Sequence, residues 1–347
     1  MTEMRCEGVY GTVLWQNVER LPQAAREIIA AFAEVCGEPG PVPTAPEVVV
    51  EVSELALPHQ FAGLGQFRPE TGPMSRAPLS PLVTMDRFED TYFWSWVGGG
   101  LLVSGVSAAT FHPGDDESQV RWMVGYLTGT LLELFGTVRA CHSTAVLVRD
   151  RCYLIAGGSG SGKSTLSLLL ASQGARLVSE DFSYLAQGRV LARSLRNHVT
   201  LRRGLWQAIG PALSGTLPPQ DDWNEPLDRA SAFRWERVGQ RRVDASALFA
   251  VDMPPMLPLS AVILPAIDPS IPHLSVKRTT WAAFETVSSE TRDPDMVAWP
   301  TQFFGIQGHP PCAIEPCPVF RVELTLDYAD DIPATVAKIL DCLATAT

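Results

Sequence analysis

The run Gly157-Gly158-Ser159-Gly160-Ser161-Gly162-Lys163-Ser164-Thr165 constrains this chain more than any other stretch. It matches G-x-x-x-x-G-K-[ST] at every fixed position, and the pattern is credible only between a strand and a helix. Both flanks comply. Cys152-Tyr153-Leu154-Ile155-Ala156 reads as a strand, and Thr165 to Ser172 reads as a helix stopped by Gly174. Glycines let successive N–H groups turn inward around phosphate oxygens, and a helix N-terminus adds partial positive charge there. Gly157 through Thr165 are therefore expected to cradle the phosphates of ATP. Lys163 should reach the β- and γ-phosphates, and the Ser164 hydroxyl should ligate Mg²⁺.

The approach to the loop is unusual. Ser143 to Val148 reads as a strand, Arg149-Asp150-Arg151 as a tight turn, and Cys152 to Ala156 as a strand running back. A hairpin thus leads into the loop, whereas parallel neighbours require a long crossover. Beyond the helix, Arg176 to Ser179 reads as a strand. It is followed by Glu180-Asp181, a strand over Phe182 to Ala186, a Gln187-Gly188 turn and a strand from Arg189 to Ala192. Such a meander predicts something other than a doubly wound sheet.

Glu180-Asp181 ends a strand one helical crossover after the loop, so the pair should return to the loop's mouth. One carboxylate there can hold Mg²⁺, and the other can take a proton from an attacking hydroxyl. His142 opens the hairpin and is expected beside the phosphates. An arginine clamp on the transferring group is sought downstream, with Arg241 or Arg242 preferred over Lys277-Arg278. Leu248-Phe249-Ala250-Val251-Asp252 offers a competing Walker-B-like strand and aspartate.

The 347 residues suggest an α+β domain over 1–137 and a loop-bearing domain over 138–347. In the first, Val9 to Trp15 and Val48 to Val52 read as strands, Gln23 to Cys36 as an amphipathic helix, Gln60 to Pro81 as an exposed connection and Asp115 to Phe135 as a helix. Ser260 to Pro265 and Pro333 to Ala344 read as a late strand and a C-terminal helix. A net charge of −11 argues against nucleic acid as a partner. Phe93 to Phe111 lacks charge, but its four glycines and three serines predict bent strands rather than a membrane span. Seven scattered cysteines without C-x-x-C spacing, and a first stretch without an apolar signal, lead us to expect a cytoplasmic protein with reduced thiols.

His142 with Val146 and Val148, the hairpin, the loop through Ser164, and Arg176-Leu177-Val178-Ser179-Glu180-Asp181 together resemble the catalytic core of HPr kinase/phosphorylase. The resemblance covers roughly His142 to Leu185 and implies an α/β fold of the HPr kinase/phosphoenolpyruvate carboxykinase type, preceded by the N-terminal α+β domain. It implies an ATP- and Mg²⁺-dependent kinase acting on a serine-type hydroxyl. Lys163 would sit on the phosphates, Ser164 and Asp181 on the metal, Glu180 would be the general base, and His142 would position the chemistry. A homo-oligomer is within the family's range. Glu180 stands where the family has aspartate, and the family's downstream glycine-rich signature with its Asn-Val pair is missing. The chain looks more like distant members that phosphorylate precursor peptides or small hydroxylated molecules. The acceptor class stays open among peptide, protein and metabolite. An ATP-hydrolysing switch and a catalytically inactive binding module stay open as alternative functions.

Overall fold

The computed structural model describes residues 3–36, 46–53, 84–88, 91–96, 99–104, 107–218, 240–268, 270–291, 304, 306, 308–325, 328 and 330–344. The chain divides into two compact units. One comprises Met1–Ala140 with Asp293–Ala313, and the other Cys141–Arg292 with Ile314–Thr347. The first division along the chain falls between Ala140 and Cys141. The second unit is nevertheless not one continuous segment, because the chain returns to the first unit at Asp293 and leaves it after Ala313.

The first unit carries strands β1 (Glu3–Glu7), β2 (Thr12–Gln16), β3 (Glu47–Val52), β4 (Thr84–Phe88), β5 (Thr91–Trp96), β6 (Gly99–Ser104) and β7 (Ala108–His112). Helix α1 spans Gln23–Val35 and α2 spans Glu117–Leu134. The strands form one mixed sheet in the order β1-β2-β3-β7-β6-β5-β4. Strand β1 was not anticipated, and the expected strand from Val9 begins only at Thr12. Phe93 to Phe111 falls in the antiparallel β5–β7 meander, as its glycines imply. Asp116 caps α2 by accepting from Ser118 N and Gln119 N at 3.0 and 3.1 Å. The returning segment adds buried Phe304 to this unit and stacks His309 on Tyr10, ring centroids 3.9 Å apart. No helix among the described residues is long and apolar enough to cross a membrane. The expected connection Gln60 to Pro81 lies outside the described residues.

The chain passes to the second unit through β8 (Arg139–Cys141). There follow β9 (Ser143–Val148), β10 (Arg151–Ala156), α3 (Lys163–Ser172), β11 (Arg176–Ser179), β12 (Ser183–Ala186), β13 (Arg189–Leu191), β14 (His198–Arg202) and α4 (Arg203–Ile209). The remaining elements are β15 (Gln240–Asp244), β16 (Met256–Ile267), β17 (Ser275–Thr279), α5 (Trp281–Glu290), β18 (Val319–Leu324) and α6 (Ile332–Ala344). The main sheet runs β11-β9-β10-β16-β13-β12-β8, with β18 and then β17 branching from β16. It is mixed. β10 is antiparallel to β9 and parallel to β16, so the hairpin replaces one of the crossovers a parallel sheet would need. Strand β16 spans 12 residues where the apolar run Ser260 to Pro265 alone was read as strand. Met256, Leu257 and Pro258 pair with β13 and Val262 to Ile267 with β18, which extends it at both ends.

Alternation along the strands builds a core on each face. Tyr153 and Ile155 of β10 join Leu166, Leu169 and Leu170 of α3 with Val336, Ile339 and Leu343 of α6. Cys152, Leu154 and Ala156 point the other way, toward Phe284 of α5 and Ile314. Ile263, fully buried, sits in β16 between β10 and β18. Ile263→Ala should destabilise the protein by about 2–5 kcal/mol through lost transfer energy and the cavity left behind. Urea unfolding followed by circular dichroism should show the midpoint fall with little change in slope.

Candidate active site

Strand polarity gathers the site at one end of the sheet. The loop leaves the C-terminal end of β10. Because β9 runs antiparallel, its beginning, with His142 just before it, lies at that same end. Strand β11 is antiparallel to β9 in turn, so Glu180 and Asp181 follow its last residue there too. The order β11-β9-β10 places the acidic pair one strand away from the loop. The sequence expectation that the crossover returns to the loop's mouth thus has a topological basis.

The loop itself has the features its glycines predict. Gly162, with φ 103°, is the N-cap of α3, and a Cβ there would come within 3.0 Å of Ile267 Cγ1. A side chain at Gly157 would collide with Ser161 Oγ at 2.3 Å. Gly162 supplies no side-chain cap, and the first N–H groups of a helix have no acceptor four residues back. The buried Ser161 Oγ has no hydrogen-bond partner among the described residues. These donors suit a phosphate. Lys163, 8% exposed, folds back and donates to the carbonyls of Gly157 at 2.7 Å and Gly158 at 3.0 Å. Burial lowers its pKa, against the opposing charges of Asp181 and Glu180.

The two carboxylates have different surroundings. Glu180 is 6% exposed. Its Oε1 accepts from the Ser164 hydroxyl at 3.1 Å, and its Oε2 from the Thr144 hydroxyl at 2.8 Å. Burial pushes its pKa up, the Thr144 bond opposes this, and the charge of Asp181 adds to the rise. Asp181 takes the opposite course. Burial would raise it too, but His142 and Arg196 hold it well below the ordinary carboxylate range, with a smaller contribution from Lys163. His142 Nε2 lies 3.1 Å from Asp181 Oδ1, and Arg196 Nη1 pairs with Oδ2. The His142 ring also stacks on Phe182, centroids 5.9 Å apart. The sequence reading put Asp181 with Ser164 on the metal side and made Glu180 the general base. In the structure it is Glu180 that joins Ser164, and Asp181 is the more exposed of the pair.

The backbone explains the division. A bulge interrupts the β11–β9 register between Leu177 and Ser179. Asp181 then takes φ 69°, and Phe182 N donates to Glu180 O at 2.8 Å, closing a γ-turn of the strained, positive-φ kind. Two buried serines brace this turn. Ser179 Oγ accepts from Ala145 N at 3.1 Å and meets Ser183 Oγ at 2.6 Å, while Ser183 donates to Ser143 O at 3.4 Å. The two serines lie four residues apart around Glu180-Asp181, a spacing visible in the sequence.

Among the described residues no group of three or more His, Cys, Asp or Glu is arranged to hold a metal. A Mg²⁺ ion bound with a nucleotide needs only one or two protein oxygens, and Ser164 with Glu180 offers them. The remaining candidates lie on other strands or turns. Arg241 and Arg242 lie on β15, opposite Leu201 and Thr200 of β14, and their side chains are outside the described residues. Lys277, on β17, is exposed and 3.8 Å from Glu323. The Walker-B-like run is not a strand. Ser246–Leu248 is a 3₁₀ turn, only Phe249 bridges to Leu177, and Asp252 is exposed with φ 55°. Met253-Pro254-Pro255 prevents its extension. The cation that does meet the acidic pair, Arg196, gave no local signal, since the β12–β13 hairpin returns it to the site.

Asp181 makes a pH-dependent contribution to stability. Its folded pKa is depressed, so the contribution is present above the unfolded value of about 3.9 and is lost as pH falls through the folded value. Asp181→Asn should therefore be less stable than the parent at neutral pH. The gap should narrow on acidification below about pH 4, measured by urea unfolding across that range. The chain matches no family model and no curated protein.

Proposed function

We propose that this protein is an ATP- and Mg²⁺-dependent kinase that transfers the γ-phosphoryl group to a hydroxyl acceptor on a peptide, protein or small metabolite. The observation that carries the reading is the hydrogen bond from Ser164 to Glu180. It ties the phosphate loop to a carboxylate, as metal-dependent phosphoryl transfer requires. Ser164 and Glu180 would hold Mg²⁺, which would supply positive charge against the charge that develops on the transferring group.

In this reading Lys163 leaves the carbonyls of Gly157 and Gly158 for the phosphates, and the loop N–H groups orient them. Ser164 and Glu180 serve the metal side. Asp181, more exposed and carrying His142, faces the acceptor and takes the proton of its hydroxyl. The acceptor oxygen bonds to the γ-phosphorus as the bond to the bridging oxygen breaks, and its electron pair leaves with ADP. The roles of the two carboxylates are thereby exchanged relative to the sequence expectation. One observation favours binding or slow hydrolysis instead: both oxygens of Asp181 already have partners.

The variants separate these readings. Lys163→Ala should cut transfer by about a hundredfold or more with the fold retained. Glu180→Gln should raise the Mg²⁺ concentration needed for half-maximal rate, whereas Asp181→Asn should lower the maximal rate by about a hundredfold at saturating Mg²⁺. The measurement is ³¹P NMR of ATP with serine-containing peptides and hydroxylated metabolites. ATP turnover indifferent to every acceptor would identify a switch, and ATP binding without turnover an inactive module.

A further inference from the structure

Arg196 pairs its guanidinium with Asp181, and it comes from a segment with its own fastenings. Arg193 donates to the carbonyls of Ala192 and Met253 at 2.9 and 3.0 Å. Arg196 N donates to buried Ser194 Oγ at 3.4 Å, Leu195 is buried, and Asn197 O accepts from Ala245 N at 2.8 Å. The guanidinium is thus delivered by an ordered backbone, with little conformational entropy left to lose when it acts. It is 16% exposed, so it is neither a solvated surface charge nor locked in the core.

Its surroundings hold a charge balance that a triphosphate would upset. Lys163 and Arg196 face Glu180 and Asp181, and Lys163 lies within electrostatic range of both carboxylates. Arg196 is therefore ion-paired to a carboxylate whose charge acts on Lys163 of the loop. A planar guanidinium holds a carboxylate and a phosphoryl group with the same fork of N–H donors, so one can substitute for the other.

We propose that Arg196 exchanges Asp181 for the transferring phosphoryl group, so that arrival of the triphosphate both clamps that group and releases Asp181 toward the acceptor. The inference rests on the kinase reading and extends it by naming the clamp and its resting partner. The acceptor loses its proton to the Oδ2 that Arg196 has vacated. Its oxygen bonds to the γ-phosphorus, and the electron pair of the broken bond leaves on the diphosphate. Without nucleotide, Asp181 stays covered by Arg196, which ties base availability to substrate binding.

The test is binding, not turnover. Affinity for a fluorescent ADP with Mg²⁺ is measured with and without aluminium fluoride, which stands for the transferring phosphoryl group. The parent should gain about tenfold or more from the fluoride complex, as an arginine directed at a transferring group implies. Arg196→Gln should lose that gain while binding ADP alone within about threefold of the parent, which also shows that the variant is folded. Arg196→Lys should keep part of the gain, through charge without the fork. If Arg196→Gln gains as much as the parent, or the parent gains nothing, the inference fails while nucleotide binding stands. If the parent binds no ADP, the kinase reading fails and the inference with it.

Discussion

Glu180 is the point on which the site depends. A nearly buried carboxylate is costly unless hydroxyls or charges satisfy it, and this one accepts from two hydroxyls on separate elements. Ser164 belongs to the helix that follows the glycine-rich loop, and Thr144 to β9. Glu180 therefore links the end of β11, the start of β9 and the first turn of α3. Any element that shifts leaves a charged oxygen without its partner, so the three are held in register by the cost of separation as much as by attraction.

Asp181 is the counterpart of this arrangement. Glu180 can point inward because the next residue accepts a strained backbone and turns outward. The Ser179–Ser183 contact and the Ala145 N–H hold the turn closed from below, and Arg196 and His142 hold the carboxylate from outside. Neighbouring carboxylates thereby acquire opposite tendencies. Burial favours protonation of one, and charge partners favour ionisation of the other.

Much of the fold was legible because its signals are local. The helices over Gln23–Val35, Glu117–Leu134 and Ile332–Ala344, the hairpin and the Gln187-Gly188 turn all follow from periodicity and turn chemistry within a few residues. The mixed α/β character follows from them. Less legible were β1, the ends of β16 and the return of Asp293–Ala313 to the first unit. Pairing partners far along the chain decide each of these. The misread run Leu248–Asp252 shows the reverse error: an apolar stretch with strand-like residues remained a turn and a single bridge.

The sequence by itself determined the glycine-rich loop, the hairpin that leads into it and the acidic pair that follows the crossover. Glycine freedom, helix-terminal donors and strand alternation act between near neighbours, so residue order suffices to read them. Only the tertiary structure decided which carboxylate joins Ser164, that Thr144 completes its partners and that Arg196 covers the other. Those outcomes turn on a bulge, one positive φ and contacts across 36 and 15 residues of chain. Side-chain direction at a strained turn is set by what packs around it, and residue order alone does not carry that information.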